Sequence, residues 1–225
     1  MTLVVLPIFY LIFWGKKRRR LYFTRFVRLS WSLFRLIMEA PGLIRICISE
    51  EDRKTLLSAS STIIVATHRS LIDIIILVSL IKDSTCIFKG KLHSNFLMRF
   101  ITANAFIAND GDPHELIARC TNALNIGYNL IIFPEGTRTL GGGQIHNGAS
   151  HIALESLANI LVVTIDIDTL FLRKGKGWND SGDKTAVYDI KIKAILKPMD
   201  IIDPQKSHRK NVREITTRIR DAFQA

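Results

Sequence analysis

The chain is short of cysteine, of proline and of acid. It has three Cys, six Pro, and 20 Asp and Glu against 31 Lys and Arg in 225 residues. Cys47, Cys86 and Cys120 show no paired spacing, so neither a disulfide framework nor a cysteine metal site is expected, which suits a reducing compartment. Cys47 and Cys86 fall in apolar, strand-like runs and read as core filler. No run of 20 apolar residues exists, so a conventional membrane-spanning helix is not indicated. Gly141-Gly142-Gly143 is not followed by Lys-Ser/Thr in the frame of a phosphate-cradling loop. Ser150 is not in a nucleophile elbow, because Ile152 breaks the Gly-x-Ser-x-Gly frame. There is no internal repeat. The length suits one α/β domain with a substantial buried interior.

What is present begins with charge and apolarity together. The net charge is +11, and the mean hydropathy is nonetheless positive at +0.19. A basic chain can mean nucleic acid, but the Lys and Arg residues are not interleaved with stacking aromatics in any recognisable motif. The charge is concentrated instead at Lys16-Lys17-Arg18-Arg19-Arg20, directly after the apolar run 2–14 (TLVVLPIFYLIFW). Charge after the apolar run argues against a cleaved signal peptide. Residues 21–39 have a helical pattern in which Thr24, Arg25, Arg28, Ser32, Arg35 and Glu39 share a stripe about 100° wide. Nearly everything else there is apolar. Residues 1–40 therefore read as a membrane-anchoring helical segment lying in the interface, with its arginines reaching to headgroups. The basic run would sit at anionic lipid. Its position places the remaining domain, residues 41–225, on the cytoplasmic face of the cell membrane, held monotopically or peripherally.

Two strings carry the chemistry. The first is His68-Arg69-Ser70-Leu71-Ile72-Asp73. Residues 61–67 (STIIVAT) read as a strand and 71–81 as a helix. In one continuous helix the His68 and Asp73 side chains would point about 140° apart, so they meet only if the chain bends between strand and helix. Asp73 near a helix N-terminus is favoured by the macrodipole. A carboxylate on one imidazole nitrogen fixes the tautomer and makes the other nitrogen the base. The plainer alternative is that Asp73 only caps the helix and His68 is a surface residue. The second string is Phe133-Pro134-Glu135-Gly136-Thr137-Arg138, after a buried strand at 129–133. Pro134 ends the strand, Gly136 permits a sharp turn, and Arg138 offers a planar fork to phosphate or carboxylate. The plainer alternative there is a loop with a Glu–Arg surface pair.

The two strings resemble the first and third motifs of the glycerolipid acyltransferases, typified by 1-acylglycerol-3-phosphate acyltransferase. The order of strand, motif and helix is similar from about Ile44 to Pro198. The resemblance implies that His68 is the general base, that Asp73 orients it, and that Glu135, Gly136, Thr137 and Arg138 bind the acceptor's phosphate. Lys89, in Phe88-Lys89-Gly90-Lys91-Leu92, is similar to the basic residue of the second motif. The implied donor is a thioester on acyl carrier protein or coenzyme A, with no further cofactor and no metal. The chain departs from the pattern twice. Asn104-Ala105-Phe106-Ile107-Ala108-Asn109 lacks the Gly and Arg that usually close the second motif, and 160–165 (ILVVTI) lacks the two prolines of the fourth. The missing Arg weakens the case for a phosphate-bearing acceptor.

Strands are further expected at 44–48, 85–88, 106–108, 160–167 and 187–196. Helices are expected at 94–102, 113–126, from Gly148 to Ala158, and at 211–223, where Val212, Ile215, Ile219 and Phe223 share a face. Residues 174–184 read as a polar surface loop. The fold class is therefore α/β, a single domain with a mixed β-sheet flanked by helices and preceded by the N-terminal helical segment. The expected activity is O-acyl transfer from an acyl thioester to a lipid hydroxyl. The acceptor is 1-acylglycerol-3-phosphate or, alternatively, a specialised lipid or glycolipid without phosphate. Partners are membrane lipid and the acyl carrier, with no nucleic acid. Two other classes stay open, a thioesterase-like hydrolase and a non-catalytic lipid-binding membrane protein.

Overall fold

Strand β2 (Ile63–Ala66) is buried at every position, and its side chains divide the core in two. Ile64 and Ala66 point into one apolar cluster, Ile63 and Val65 into the other, as strand alternation requires. Our computed structural model of the chain describes residues 16–89, 105–109, 111–136, 143–169 and 184–225. Within them lies a seven-stranded sheet of order β1-β7-β6-β2-β5-β3-β4. The strands are β1 (Ile44–Ile48), β2, β3 (Ser84–Lys89), β4 (Ile107–Asn109), β5 (Asn129–Ile132), β6 (Ile160–Ile167) and β7 (Ala186–Leu196). Strands β2 to β6 are mutually parallel, while β7 pairs antiparallel with β6 and parallel with β1. The sheet is therefore mixed, as expected, and the C-terminal ends of five parallel strands share one edge. The start of β7 lies at that same edge, with Tyr188 opposite Ile167.

Helices cover both faces. On one side α1 (Lys16–Glu39) and α3 (Asp73–Leu80) contribute Phe23, Val27, Met38, Ile76 and Leu77 to the first cluster. On the other, α4 (Pro113–Asn125), α5 (Gly148–Ser156) and α7 (His208–Gln224) contribute Leu124, Ile152, Ile215 and Ile219 to the second. Each such aliphatic side chain taken out of water stabilises the fold by about 1.5–3 kcal/mol. Val212, Ile215 and Ile219 of α7 are buried, as its periodicity predicts. Two short helices go beyond the expectation. In α2 (Glu50–Ser58), Ser49 accepts from the Asp52 amide at 3.0 Å, an N-cap. The other is α6 (Pro198–Ile201). The expected helix at 94–102 and nearly all of the loop at 174–184 lie outside the described residues.

Two expectations are corrected. Cys86 and Cys120 are buried, but Cys47 is exposed. Strand β1 lies at the edge of the sheet and alternates, so Ile44 faces the core while Arg45 and Cys47 face out. The polar stripe of α1 is not its outer face. Thr24 is buried, Arg25 pairs with Asp83 at 3.5 Å, and Arg35 donates to Glu39 at 2.7 Å. The exposed residues are mostly apolar: Tyr22, Phe26, Leu29, Leu33, Leu36 and Ile37, with Arg25 at their edge; Leu29 is 70% exposed. The opposite face of α1 packs on α3 and the sheet, so the helix is apolar on two sides and its polar residues serve the junction.

Candidate active site

The bend at the end of β2 is built from the backbone upward. Thr67 extends the pairing with β6 by a side chain, its Oγ1 accepting from the Ile165 amide at 2.7 Å and donating to the Ile165 carbonyl at 3.1 Å. The chain then turns away, and Asp73, the first residue of α3, reaches back across the turn. Its Oδ2 accepts from the amides of Arg69 at 2.6 Å and Ser70 at 2.8 Å, and lies 3.0 Å from His68 Nδ1. Its Oδ1 accepts from Ser70 Oγ at 2.7 Å. Asp73 is fully buried, and a buried carboxylate is tolerated only with such a complete set of donors and a partner. The bend anticipated from the His68–Asp73 spacing is thus present. With Nδ1–H donated to Asp73, Nε2 carries the lone pair and is the basic nitrogen.

The second string closes on the first. Phe133, just past β5, stacks on the His68 imidazole with ring centroids 4.3 Å apart. The chain turns at once, with the Gly136 amide donating to the Phe133 carbonyl at 3.0 Å. Gly136 has φ +63, a conformation that side chains resist. A Cβ there would also meet the His146 ring at 3.7–3.8 Å. His146 is held by its amide, which donates to the Pro134 carbonyl at 3.0 Å. Glu135 lies among the same groups. Partial burial raises its carboxyl above the ordinary value, with Asp73 adding to the rise, while the charges of Arg69 and His68 pull it back.

Of the residues expected at the site, the structure brings His68, Asp73, Glu135 and Gly136 together. Lys89 ends β3 at the same sheet edge, in register with Asn109 of β4; its side chain, like Thr137 and Arg138, is outside the described residues. Four residues join the site unanticipated as individuals. Ser70 and Phe133 lie within the two strings. Arg69 approaches Asp166, near the end of β6, at 3.9 Å. Tyr188 of β7 meets Ser70 Oγ at 3.0 Å through its hydroxyl, and no sequence signal marks it. Among the described residues no group of three His, Cys, Asp or Glu side chains is placed to hold a metal ion.

The edge where the parallel strands end thus carries a buried carboxylate, an oriented imidazole and a tight Pro-Glu-Gly turn. The family model for Acyltransferase matches residues 45–168, a span holding both strings, and the chain belongs to that family and is an acyltransferase. No curated protein gives a significant match by sequence. Among solved structures, the chain is similar to the 1-acyl-sn-glycerophosphate (LPA) acyltransferase PlsC from Thermotoga maritima. The TM-score is 0.63 at 20% identity, covering 99% of this chain and 88% of that one.

Proposed function

We propose that the protein transfers a fatty acyl group from a thioester, on acyl carrier protein or coenzyme A, to a hydroxyl of a membrane lipid. The observation that carries this is the His68 imidazole held at 3.0 Å by buried Asp73, against the turn that begins at Pro134. His68 Nε2 takes the proton of the acceptor hydroxyl as its oxygen attacks the thioester carbonyl. The tetrahedral intermediate then collapses, the C–S bond breaks, and the imidazolium returns the proton to the thiolate. Asp73 stabilises the imidazolium between these steps. Glu135, Gly136, Thr137, Arg138 and Lys89 hold the acceptor.

The acceptor we favour is 1-acylglycerol-3-phosphate. The Arg138 fork suits a phosphate, and the fold is that of an enzyme named for this substrate. A second reading, a lipid without phosphate, is favoured by one observation. Asn109 stands beside Lys89 in register, at the end of the stretch where the family pattern carries an Arg. The test is purified protein with acyl-CoA or acyl carrier protein, given lysophosphatidate or native lipid extract, beside His68→Ala and Asn109→Arg. Product that vanishes with His68→Ala supports the mechanism, and near-normal turnover by that variant sinks it. If Asn109→Arg improves use of lysophosphatidate, phosphate is the natural group. If it lowers activity on the extract instead, the acceptor lacks phosphate. Fatty acid released without any acceptor would make the protein a hydrolase.

We further propose that residues 1–40 anchor the domain to the cytoplasmic leaflet. No helix among the described residues is long and apolar enough to cross a membrane. The exposed apolar face of α1 would enter the interface, with Lys16 to Arg20 contributing about 1 kcal/mol each near anionic lipid. Flotation of full-length protein with anionic vesicles tests this. Protein that stays at the bottom of the gradient at low salt refutes it.

A further inference from the structure

We propose that Tyr188 is a positioning residue for the His68–Asp73 pair, acting through Ser70 from β7, two strands along the sheet from β2. The argument rests on hydrogen-bond direction. Ser70 has one hydroxyl hydrogen, and Asp73 Oδ1, a carboxylate oxygen at 2.7 Å, claims it. Toward Tyr188, at 3.0 Å, Ser70 Oγ is therefore the acceptor and the phenol donates. The Ile72 amide donates to the same oxygen at 3.2 Å. The phenol donates to the hydroxyl and the hydroxyl to the carboxylate, which also accepts from the imidazole Nδ1–H; the phenol's donation strengthens that of the hydroxyl.

Both intermediate groups are fully buried, Tyr188 and Ser70 at 0% exposure. The network sets the rotation of the carboxylate. The Arg69 and Ser70 amides seat Oδ2 beside Nδ1 of His68, and the Ser70 hydroxyl fixes Oδ1. Without Tyr188 the Ser70 hydroxyl loses the donor that polarises it, and its hold on Oδ1 weakens. Tyr188 reaches this place because β7 runs antiparallel to β6 and begins at the edge where β2 ends. The sheet thus makes the geometry of the pair depend on correct seating of its antiparallel strand.

The inference rests on the role proposed for His68, and the test separates the two. In Tyr188→Phe the ring stays and only the donor goes. We expect kcat per folded molecule to fall about three- to tenfold, the range for one net hydrogen bond, with both KM values unchanged. Ser70→Ala should fall further. The double variant should be no worse than Ser70→Ala, because the phenol reaches the pair through Ser70. The downfield proton resonance of the His68–Asp73 hydrogen bond should move in Tyr188→Phe, a change that loss of packing elsewhere would not produce. Should the Phe variant fail to fold, Tyr188→Met, also apolar, carries the same measurements. Unchanged kcat and resonance in a folded variant, or effects of Tyr188→Phe and Ser70→Ala that simply add, would overturn the proposal. If His68→Ala is inactive while Tyr188→Phe is normal, this inference alone fails. If His68→Ala is active, the mechanism itself fails.

Discussion

Asp73 and Asn129 are both buried polar side chains, and they stand at opposite ends of the same parallel strands. Asn129 Oδ1 accepts from the Thr62 amide at 3.1 Å, and its Nδ2 donates to the carbonyls of Ala59 at 2.8 Å and Lys82 at 2.9 Å. It ties together the entries to β2, β3 and β5, and every partner is backbone. Asp73 also takes two backbone amides, but its remaining bonds go to side chains, and one of these, His68, is 19% exposed. The first network is closed within the protein, and the second opens at its end onto solvent. Burial and satisfaction of a polar group therefore do not separate a structural from a functional role. What separates them is whether the chain of hydrogen bonds ends in a titratable group at the surface.

That comparison can be broken by experiment. Asp73→Asn should lower kcat about a hundredfold or more, because the amide leaves the imidazole in the wrong tautomer, while circular dichroism and the denaturation midpoint change far less. Asn129→Ala should do the opposite. Loss of its three bonds leaves backbone groups buried without partners, so unfolding in urea should show a loss of about 2–4 kcal/mol, with kcat per folded molecule intact. Similar kinetic damage from both would erase the distinction.

The two faces of α1 sharpen the comparison. Its inner face is apolar because it packs, and its outer side exposes Leu29, Leu33, Leu36 and Ile37. Leu29→Ser with Leu33→Ser should leave the midpoint within about 0.5 kcal/mol, as for surface substitutions generally, yet weaken binding to anionic vesicles by about tenfold or more. A large loss of stability with unchanged vesicle binding would mean that this face packs against protein.

The smallest expected effect concerns Glu135. Its carboxyl is raised in the folded state by burial first, then Asp73. Its contribution to stability is therefore fully present below the ordinary Glu value and is lost as pH rises through the raised one. Glu135→Gln should be slightly more stable than wild type at neutral pH by thermal melting, and the gain should vanish below the ordinary Glu range. A gain that persists there would mean that charge is not the cause. The same variant should lose activity if Glu135 holds the acceptor.

Strand and helix positions were largely legible because hydrophobic period and end signals are local. Residues 44–48 and 160–167 match β1 and β6 at both ends, and the α7 stripe is buried as its spacing predicts. The two corrections share a cause. Cys47 lies in an apolar run, but a strand at the edge of the sheet need bury only one face. The α1 polar stripe has helical spacing, yet spacing cannot say which side meets the protein when both flanks of the stripe are apolar.

The candidate site divides in the same way. The sequence by itself pointed to the contact of Asp73 with His68, because side chains five residues apart meet there only across a strand-to-helix bend. It likewise placed Pro134 and Gly136 in a turn. Only the tertiary structure decided that Phe133 stacks on His68, that Arg69 approaches Asp166, and that Tyr188, 118 residues from Ser70, completes the network. Those contacts exist because β5 and β6 flank β2 and because β7 reverses direction beside β6. Strand order and direction are set by packing the whole sheet between its helices, and closing loops of such length carries no local energetic signature to be read in advance.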